Sequence, residues 1–195
     1  MLQAQRNLVE HFTYGDYRTW PVNERWELID GLVYDMSPAP SRSHQDICGE
    51  LFFQFRSQLA GRTCRAYLAP FDVRLPQSDE ADDDIDTVVQ PDIVVVCDRN
   101  KLDDKGCKGA PDLVIEILSP YTAHKDLNEK FRLYERVGVK EYWIVHPLDR
   151  TVMVFRHDGD SFDRPAMFAG KDRIEVPLLG ELVVDLNLVF GPLES

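Results

Sequence analysis

The stretch that decides the fold is Asp112-Leu113-Val114-Ile115-Glu116-Ile117-Leu118-Ser119-Pro120. This short apolar run is rich in β-branched residues and has a proline before it and another at its end, which predicts a strand buried on both faces of a sheet. Strand alternation places Glu116 on the same face as Val114 and Leu118. A carboxylate in that position is costly unless it is paired with a cation or amide, or holds a metal ion. Both interpretations are open from this stretch alone.

A second strand of the same character favours the metal. The run Pro91-Asp92-Ile93-Val94-Val95-Val96 is also apolar and β-branched, and it carries its own acid, Asp92, at its entrance. Hard carboxylate oxygens are the ligands that Mg²⁺ and Mn²⁺ prefer. Two apolar strands that each deliver one carboxylate therefore predict a divalent-metal site.

Length and composition are those of an ordinary globular chain. With 195 residues, 44% of them hydrophobic, we expect one domain over residues 1–195. No apolar run approaches the roughly 20 residues that cross a membrane, and residues 1–7 lack the features of a signal peptide. The four cysteines are irregularly spaced and form no CxxC pair, so we expect reduced, non-ligand cysteines in a cytoplasmic protein that does not contact membranes.

The charge balance opposes a general affinity for nucleic acid. The formal net charge is −12, whereas phosphate contacts need Lys and Arg. Part of this charge is local, because six acidic residues crowd the segment 79–86. That segment could bind Ca²⁺ weakly, but its spacing does not fit an EF-hand, so we interpret it as a solvated loop.

The N-terminal part predicts a short helix at 13–20 and then a hairpin at 25–36, where Asp30-Gly31 lies between two apolar runs. Glu27 shares a face with Ile29 on the first hairpin strand. It is a third candidate acid, although spacing alone is equally compatible with an exposed strand residue.

The middle of the chain predicts a long helix over 43–59, strands at 64–69, 71–75 and 88–97, and a polar loop at 98–110. His44 lies in the first turn of the helix, at the edge of its apolar face. A lone histidine at such a place is more often structural than catalytic, so His44 is only an accessory candidate.

A second long helix is predicted over 124–137, followed by an apolar strand at 141–147, so that strand, helix and strand form a βαβ unit with parallel strands. At about 100° per residue, Lys130 falls inside the apolar arc of this helix and Lys125 projects from the opposite side. Lys130 can snorkel to the surface or point at a buried carboxylate, and we favour the second interpretation. The rest of the chain predicts short strands.

Asp92, Glu116 and Lys130 together provide what hydrolysis of a phosphodiester requires: carboxylates to hold a metal, and a cation near the reacting phosphate. The order Pro-Asp, an acid in the next strand and then a lysine resembles the PD-(D/E)XK nuclease superfamily. The lysine expected two residues after the acid is Leu118 here, and Lys130 on the following helix matches the relocated lysine of one branch.

That branch is the Uma-type family of bacterial proteins, whose members are described as putative restriction endonucleases. The resemblance runs from about Thr13 to the final strands. It is carried by Trp26-Glu27-Leu28-Ile29-Asp30-Gly31, His44 with Ile47, Gln90-Pro91-Asp92-Ile93-Val94-Val95, Pro111 to Pro120, Lys130 with Tyr134, and Gly138 to Val145.

The resemblance implies an α/β, restriction-endonuclease-like mixed β-sheet flanked by helices, with an N-terminal hairpin and C-terminal β additions. It implies a Mg²⁺- or Mn²⁺-dependent endonuclease, with Asp92, Glu116 and Glu27 as metal ligands and Lys130 as a further catalytic residue. The expected substrate is nucleic acid, DNA more than RNA, cut by a homodimer because two strands require two sites. The alternative is a nuclease-fold interaction module that no longer cleaves. A Ser/His/Asp hydrolase is a weaker third possibility, because it would need a nucleophile elbow of the GxSxG kind and none is present.

Overall fold

The computed structural model describes residues 10–21, 24–36, 39–120 and 123–191; residues 1–7, which lack signal-peptide features, lie outside these ranges. The strands in chain order are β1 (Trp26–Ile29), β2 (Leu32–Asp35), β3 (Arg65–Leu68), β4 (Val73–Arg74), β5 (Val88–Val89), β6 (Ile93–Val96), β7 (Leu102–Asp103), β8 (Gly106–Lys108), β9 (Leu113–Ile117), β10 (Glu141–His146), β11 (Thr151–Arg156), β12 (Ala166–Ala169), β13 (Arg173–Val176) and β14 (Leu182–Asp185).

The helices of the described residues are fewer than the strands. They are α1 (Tyr14–Tyr17), α2 (Arg42–Gln58), α3 (Ala123–Lys125), a π-helical segment (Asp126–Lys130), α4 (Phe131–Arg136) and α5 (Leu186–Phe190), with 3₁₀ turns at Asp82–Asp84, Arg99–Lys101 and Pro177–Leu179. Within the ranges described, no helix has the length and apolar character needed to cross a membrane.

The central sheet is mixed, with strand order β12-β11-β10-β9-β6-β3. β9 and β10 are parallel, and β6 pairs antiparallel with β9. The predicted βαβ unit is therefore confirmed, since α3, the π-helical segment and α4 connect the two parallel strands. All five residues of β9 are buried, as expected of a strand covered on both faces.

The two faces of this sheet pack against different partners. Ile93, Val95, Ile115 and their neighbours on one face pack with Leu51 and Phe55 of α2. Val94, Val114 and Ile144 on the other face pack with Leu133 and Tyr134 of α4. The single carboxylate of β9, Glu116, belongs by alternation to the second face.

A second sheet carries the N-terminal hairpin and has the order β2-β1-β5-β4-β8-β7. The predicted hairpin is confirmed. Asp30 and Gly31 form its turn with φ of 50° and 74°, the positive values that a type I′ hairpin turn requires at both positions. A separate pair, β13 with β14, supplies the C-terminal β addition.

Three local predictions were wrong. The segment 88–97 is not one strand, because β5 and β6 belong to different sheets and are separated at Gln90–Asp92. The polar loop 98–110 contains the short strands β7 and β8, and α5 follows β14 where only strands were expected. Strands of two or three residues and a five-residue helix are too short for periodicity to reveal.

The acidic segment is not simply a solvated loop. Arg74 is fully buried and donates to both carboxylate oxygens of Asp82 at 2.7 and 2.6 Å and to both of Asp103 at 2.7 Å. Asp82 also accepts from Lys105 at 2.9 Å. Four charge-assisted bonds hold one guanidinium, so this segment anchors the second sheet.

The expectation of reduced cysteines was wrong for one pair. Cys64 and Cys97 are joined by a disulfide across a sequence separation of 33. The antiparallel pairing of β3 with β6 matches Arg65 with Val96, so the two cysteines are the next opposed positions along the strands. Sequence spacing contains no trace of this register. Cys48 and Cys107 are free and buried.

The Arg74 cluster predicts a large difference between two arginine substitutions. Arg74→Met removes the cation that two carboxylates share, and it should lower the free energy of unfolding by about 2–3 kcal/mol. Arg136→Met breaks the ion pair of Arg136 with Asp30, in which the two side chains are 52% and 46% exposed, and it should cost less than about 1 kcal/mol. Urea denaturation of the two variants would measure both; equal losses would contradict the anchoring role of Arg74.

Candidate active site

Asp92 and Glu116 are cross-strand neighbours. β6 and β9 pair Ile93 with Ile115, and one further step along this antiparallel register sets Asp92 opposite Glu116. Directly opposed residues lie on the same face with Cβ atoms about 4.5–5.5 Å apart. Both residues line the same cleft. The sequence expectation that the two acids come together on one face is thus met by the strand register.

Asp92 is fixed by two contacts. Its Oδ2 accepts from the backbone N–H of Ile117 at 2.8 Å and lies 3.2 Å from His44 Nε2. Burial lowers the pKa of His44, but its hydrogen bond to Asp92 and the Asp92 charge outweigh that effect and raise the pKa. His44, in the first turn of α2, therefore helps to hold the carboxylate of Asp92 in place.

Glu116 is buried between a cation and a phenol. Its Oε1 accepts from Lys130 Nζ at 2.8 Å and from the Tyr134 hydroxyl at 2.9 Å. Burial raises the pKa of Glu116 to about 8; the Lys130 charge opposes this shift, and the charges of Asp126, Asp92 and Glu27 reinforce it. The favoured interpretation of Lys130, that it points at a buried carboxylate, matches this geometry.

Glu27 joins three separate elements of the chain. Its Oε1 accepts from the backbone N–H of Gln90 at 2.8 Å and lies 2.7 Å from Lys130 Nζ, while Oε2 accepts from Lys125 Nζ at 2.6 Å. Burial would raise the pKa of this carboxyl, but the charges of Lys130 and Lys125 prevail and lower it to about 2. Glu27 is fully buried, so the alternative of an exposed strand residue is wrong.

The placement of Lys125 on the far side of its helix was also wrong. Lys125 points inward, with its side chain only 11% exposed and bound to Glu27. An ideal α-helix would separate Lys125 and Lys130 by about 140°. Residues Asp126–Lys130 instead form a π-helical segment, in which bonds join residues five apart and bring positions i and i+5 toward one face. The helical-wheel calculation failed because the helix is not a regular α-helix.

Asp126 is a site residue that sequence reasoning missed. It is 2% exposed, lies in the π-helical segment and lines the cleft. Its Oδ1 is 3.8 Å from Lys130 Nζ, and its backbone carbonyl accepts from the Tyr142 hydroxyl at 3.0 Å. The signal available in the sequence was its spacing of four residues before Lys130, a common ion-pair spacing on helices.

The buried network therefore contains one more carboxyl group than ammonium groups. Glu27, Glu116 and Asp126 provide three carboxyl groups, whereas Lys125 and Lys130 provide two ammonium groups. Like charges in a buried site disfavour joint ionisation. The carboxyl group that is hardest to ionise here is Glu116, because its pKa is raised.

These groups surround a cleft of about 610 Å³. Its polar lining includes Asp92, Glu116, Asp126, Lys125, Lys130, Arg25, His44 and His146. Glu27 is not among the described residues that line the cleft, but it contacts three residues that do, Lys125, Lys130 and Gln90. In the portion of the chain that the structure describes, no group of three or more His, Cys, Asp or Glu side chains is arranged to hold a metal ion.

Comparison with known proteins identifies the family. The family model Uma2, described as "Putative restriction endonuclease", matches residues 14–188. The chain belongs to the Uma2 family. The matched range contains every residue of the site described above.

Two individual proteins are similar to this Uma2 chain. An uncharacterized protein of Synechocystis sp., slr1290, is 25% identical over 168 residues, which is 85% of this chain and 84% of that protein. The crystal structure of a protein described as a putative nuclease belonging to DUF820, from Anabaena variabilis, superposes with a TM-score of 0.72 at 23% identity, covering 92% of this chain and 97% of that one. The second match confirms the expected fold.

The raised pKa of Glu116 predicts that Glu116→Gln stabilises the protein when divalent cations are removed with EDTA. Below about pH 4.5 the carboxyl is protonated in both folded and unfolded states, so the gain is small. As the pH rises toward 8, only the unfolded state of the wild type ionises freely, and wild-type stability falls. The advantage of the variant should grow by at least about 1 kcal/mol between pH 5 and pH 8. Urea denaturation across this range measures it; a constant difference would contradict the prediction.

Glu27→Gln should destabilise this Uma2 protein, in contrast to Glu116→Gln. Glutamine removes the charge that neutralises Lys125 and Lys130, and it leaves two buried ammonium groups short of an anion. Breaking a buried ion pair by removing one partner costs about 3–5 kcal/mol. Thermal and urea denaturation at pH 7 should place this variant well below the wild type, and below Glu116→Gln. A variant as stable as the wild type would contradict the bridging role.

Proposed function

We propose that this protein is a metal-dependent endonuclease that hydrolyses phosphodiester bonds of nucleic acid, with DNA preferred over RNA. The observation that carries the proposal is the cross-strand pair Asp92 and Glu116 at one cleft, with Lys130 bound to Glu116 at 2.8 Å. Membership of a family described as "Putative restriction endonuclease" supports the same reaction class.

The donor set suits Mg²⁺ or Mn²⁺ held by Asp92 and Glu116. Magnesium is usually bound by one or two carboxylates and completes its shell with water and substrate phosphate oxygens, so two adjacent carboxylates in a roomy cleft fit it. When bound, such an ion polarises the phosphate and lowers the pKa of a bound water. A metal role for Glu27 stays a prediction. Its oxygens already contact two lysines and a backbone amide, so direct ligation needs at least one lysine to move.

The chain's own residues position the reacting groups. In hydrolysis the water oxygen forms a bond to phosphorus, the bond from phosphorus to one sugar oxygen breaks, and that sugar oxygen takes up a proton. Lys130 is placed to stabilise negative charge that develops on the phosphate, as preorganised cations do in such transition states. His44 acts through Asp92, which it orients from 3.2 Å.

The net charge of −12 does not exclude a nucleic-acid substrate, because the local charge of the cleft differs from the average. Arg25, Lys125, Lys130 and two histidines contribute to its lining. Of the four acidic residues described in that lining, Asp92 and Glu116 are the two proposed for the metal. Homodimer formation and a cytoplasmic location stay predictions.

The competing candidate is a nuclease-fold interaction module without activity. The net charge of −12 favours it, as does the neutralisation of both buried lysines by site carboxylates. A cleavage assay separates the two candidates directly.

The test is cleavage of plasmid and single-stranded DNA in Mg²⁺ or Mn²⁺, with metal binding followed by calorimetry. Asp92→Asn and Glu116→Gln should lose activity by about 100-fold or more and should bind the metal more weakly, because each removes a charged ligand. Lys130→Met should lose a similar factor in rate while it retains metal binding.

Glu181→Gln is the matched control. It removes one negative charge from an exposed position at the end of the β13–β14 connection and should leave both activity and metal binding unchanged. A wild-type protein that binds neither metal nor nucleic acid would overturn the proposal in favour of the interaction module.

A further inference from the structure

The cleft contains a second lysine that the nuclease reaction, as proposed above, does not use. Lys125 Nζ lies 2.6 Å from Glu27 Oε2, on the carboxylate whose other oxygen is 2.7 Å from Lys130 Nζ. One buried anion therefore holds two ammonium groups side by side. The Lys125 ammonium also lies 5.8 Å from the centre of the Tyr34 ring, and these contacts together limit how far its head can move.

The two lysines differ in access to the cleft. Lys130 is 2% exposed and is shared among Glu27, Glu116 and Asp126. Lys125 is 11% exposed, its only ion pair in the described structure is with Glu27, and it lines the cleft together with Arg25. The lining of the cleft therefore combines the carboxylates proposed to hold the metal with two further cations, Lys125 and Arg25.

We propose that Lys125 binds a non-bridging oxygen of the substrate phosphate and is a second catalytic cation, with Glu27 as the positioning residue that holds Lys125 and Lys130 at a fixed separation. This inference rests on the proposed nuclease function. The π-helical segment is needed for this arrangement, because its altered helical repeat brings Lys125 to the face of Lys130.

The physical reason for two cations is the charge of the substrate. A phosphodiester is an anion that gains charge on its equatorial oxygens as water attacks, and a site with three buried carboxyl groups would repel it. Lysine ammonium groups act as point charges whose attraction strengthens when water is excluded. Lys130 already contacts Glu27 and Glu116 and is 2% exposed, whereas Lys125 contacts Glu27 and lines the cleft with its side chain 11% exposed.

The test measures binding apart from cleavage. Labelled single-stranded and duplex DNA oligonucleotides are titrated by fluorescence anisotropy in EDTA, between about 50 and 200 mM KCl. Lys125→Met should bind more weakly and should reduce the salt slope by about 0.7 for single strands or about 0.9 for duplex, the value for one phosphate contact. Lys125→Arg should restore the slope because it keeps the charge, and cleavage in Mg²⁺ or Mn²⁺ should follow the same order.

Lys171→Met is the control, since Lys171 is an exposed residue in the turn after β12; it should behave as the wild type. If Lys125→Met binds and cleaves DNA as Lys171→Met does, the role of Lys125 is overturned and the nuclease proposal stands. The role of Lys125 is also overturned if Lys125→Met loses only thermal stability and keeps the wild-type salt slope. If the wild type neither binds nor cleaves, both proposals fail.

Discussion

The carboxylate of Glu27 is the interaction on which the site depends. It joins the first hairpin strand to Lys125 and Lys130 on the connecting helix and to the backbone N–H of Gln90. Gln90 is two residues before Asp92, so the same anion fixes the helix that faces Glu116 and the turn that delivers Asp92. A fully buried ion pair rarely stabilises a fold more than apolar packing would. Its presence here is better explained by the geometry it imposes than by the free energy of unfolding.

The lysine that contacts Glu116 is Lys130 on the connecting helix, and not the residue two positions after Glu116 on the strand. Leu118, two residues after Glu116, lines the cleft at the place where the superfamily resemblance expects a lysine. Lys130 arrives from the helix instead and places its ammonium 2.8 Å from Glu116. Under the proposed nuclease function, the chemistry depends on where the charge lies and not on which strand or helix carries it, so a lysine on the helix serves the same acid as one on the strand.

The π-helical segment beside the cleft is held by a hydrogen bond from the central sheet. The Tyr142 hydroxyl donates to the carbonyl of Asp126 at 3.0 Å, and Tyr142 is fully buried on β10. π-Helical segments are uncommon and are found frequently at functional sites. Here the segment changes the direction of one lysine and buries one aspartate, and both changes increase the charge density around Glu116.

The sequence by itself predicted most strands of the central sheet, the hairpin turn and the βαβ connection, and it favoured the inward direction of Glu116 and Lys130. These follow from local periodicity and from turn chemistry, which short segments carry on their own. Only the tertiary structure decided that Glu27 is buried, that Lys125 faces inward, that Asp126 belongs to the site and that Cys64 is opposite Cys97. Each of these depends on the register between distant strands or on a departure from the regular helical repeat, and neither is encoded in the spacing of residues along one segment.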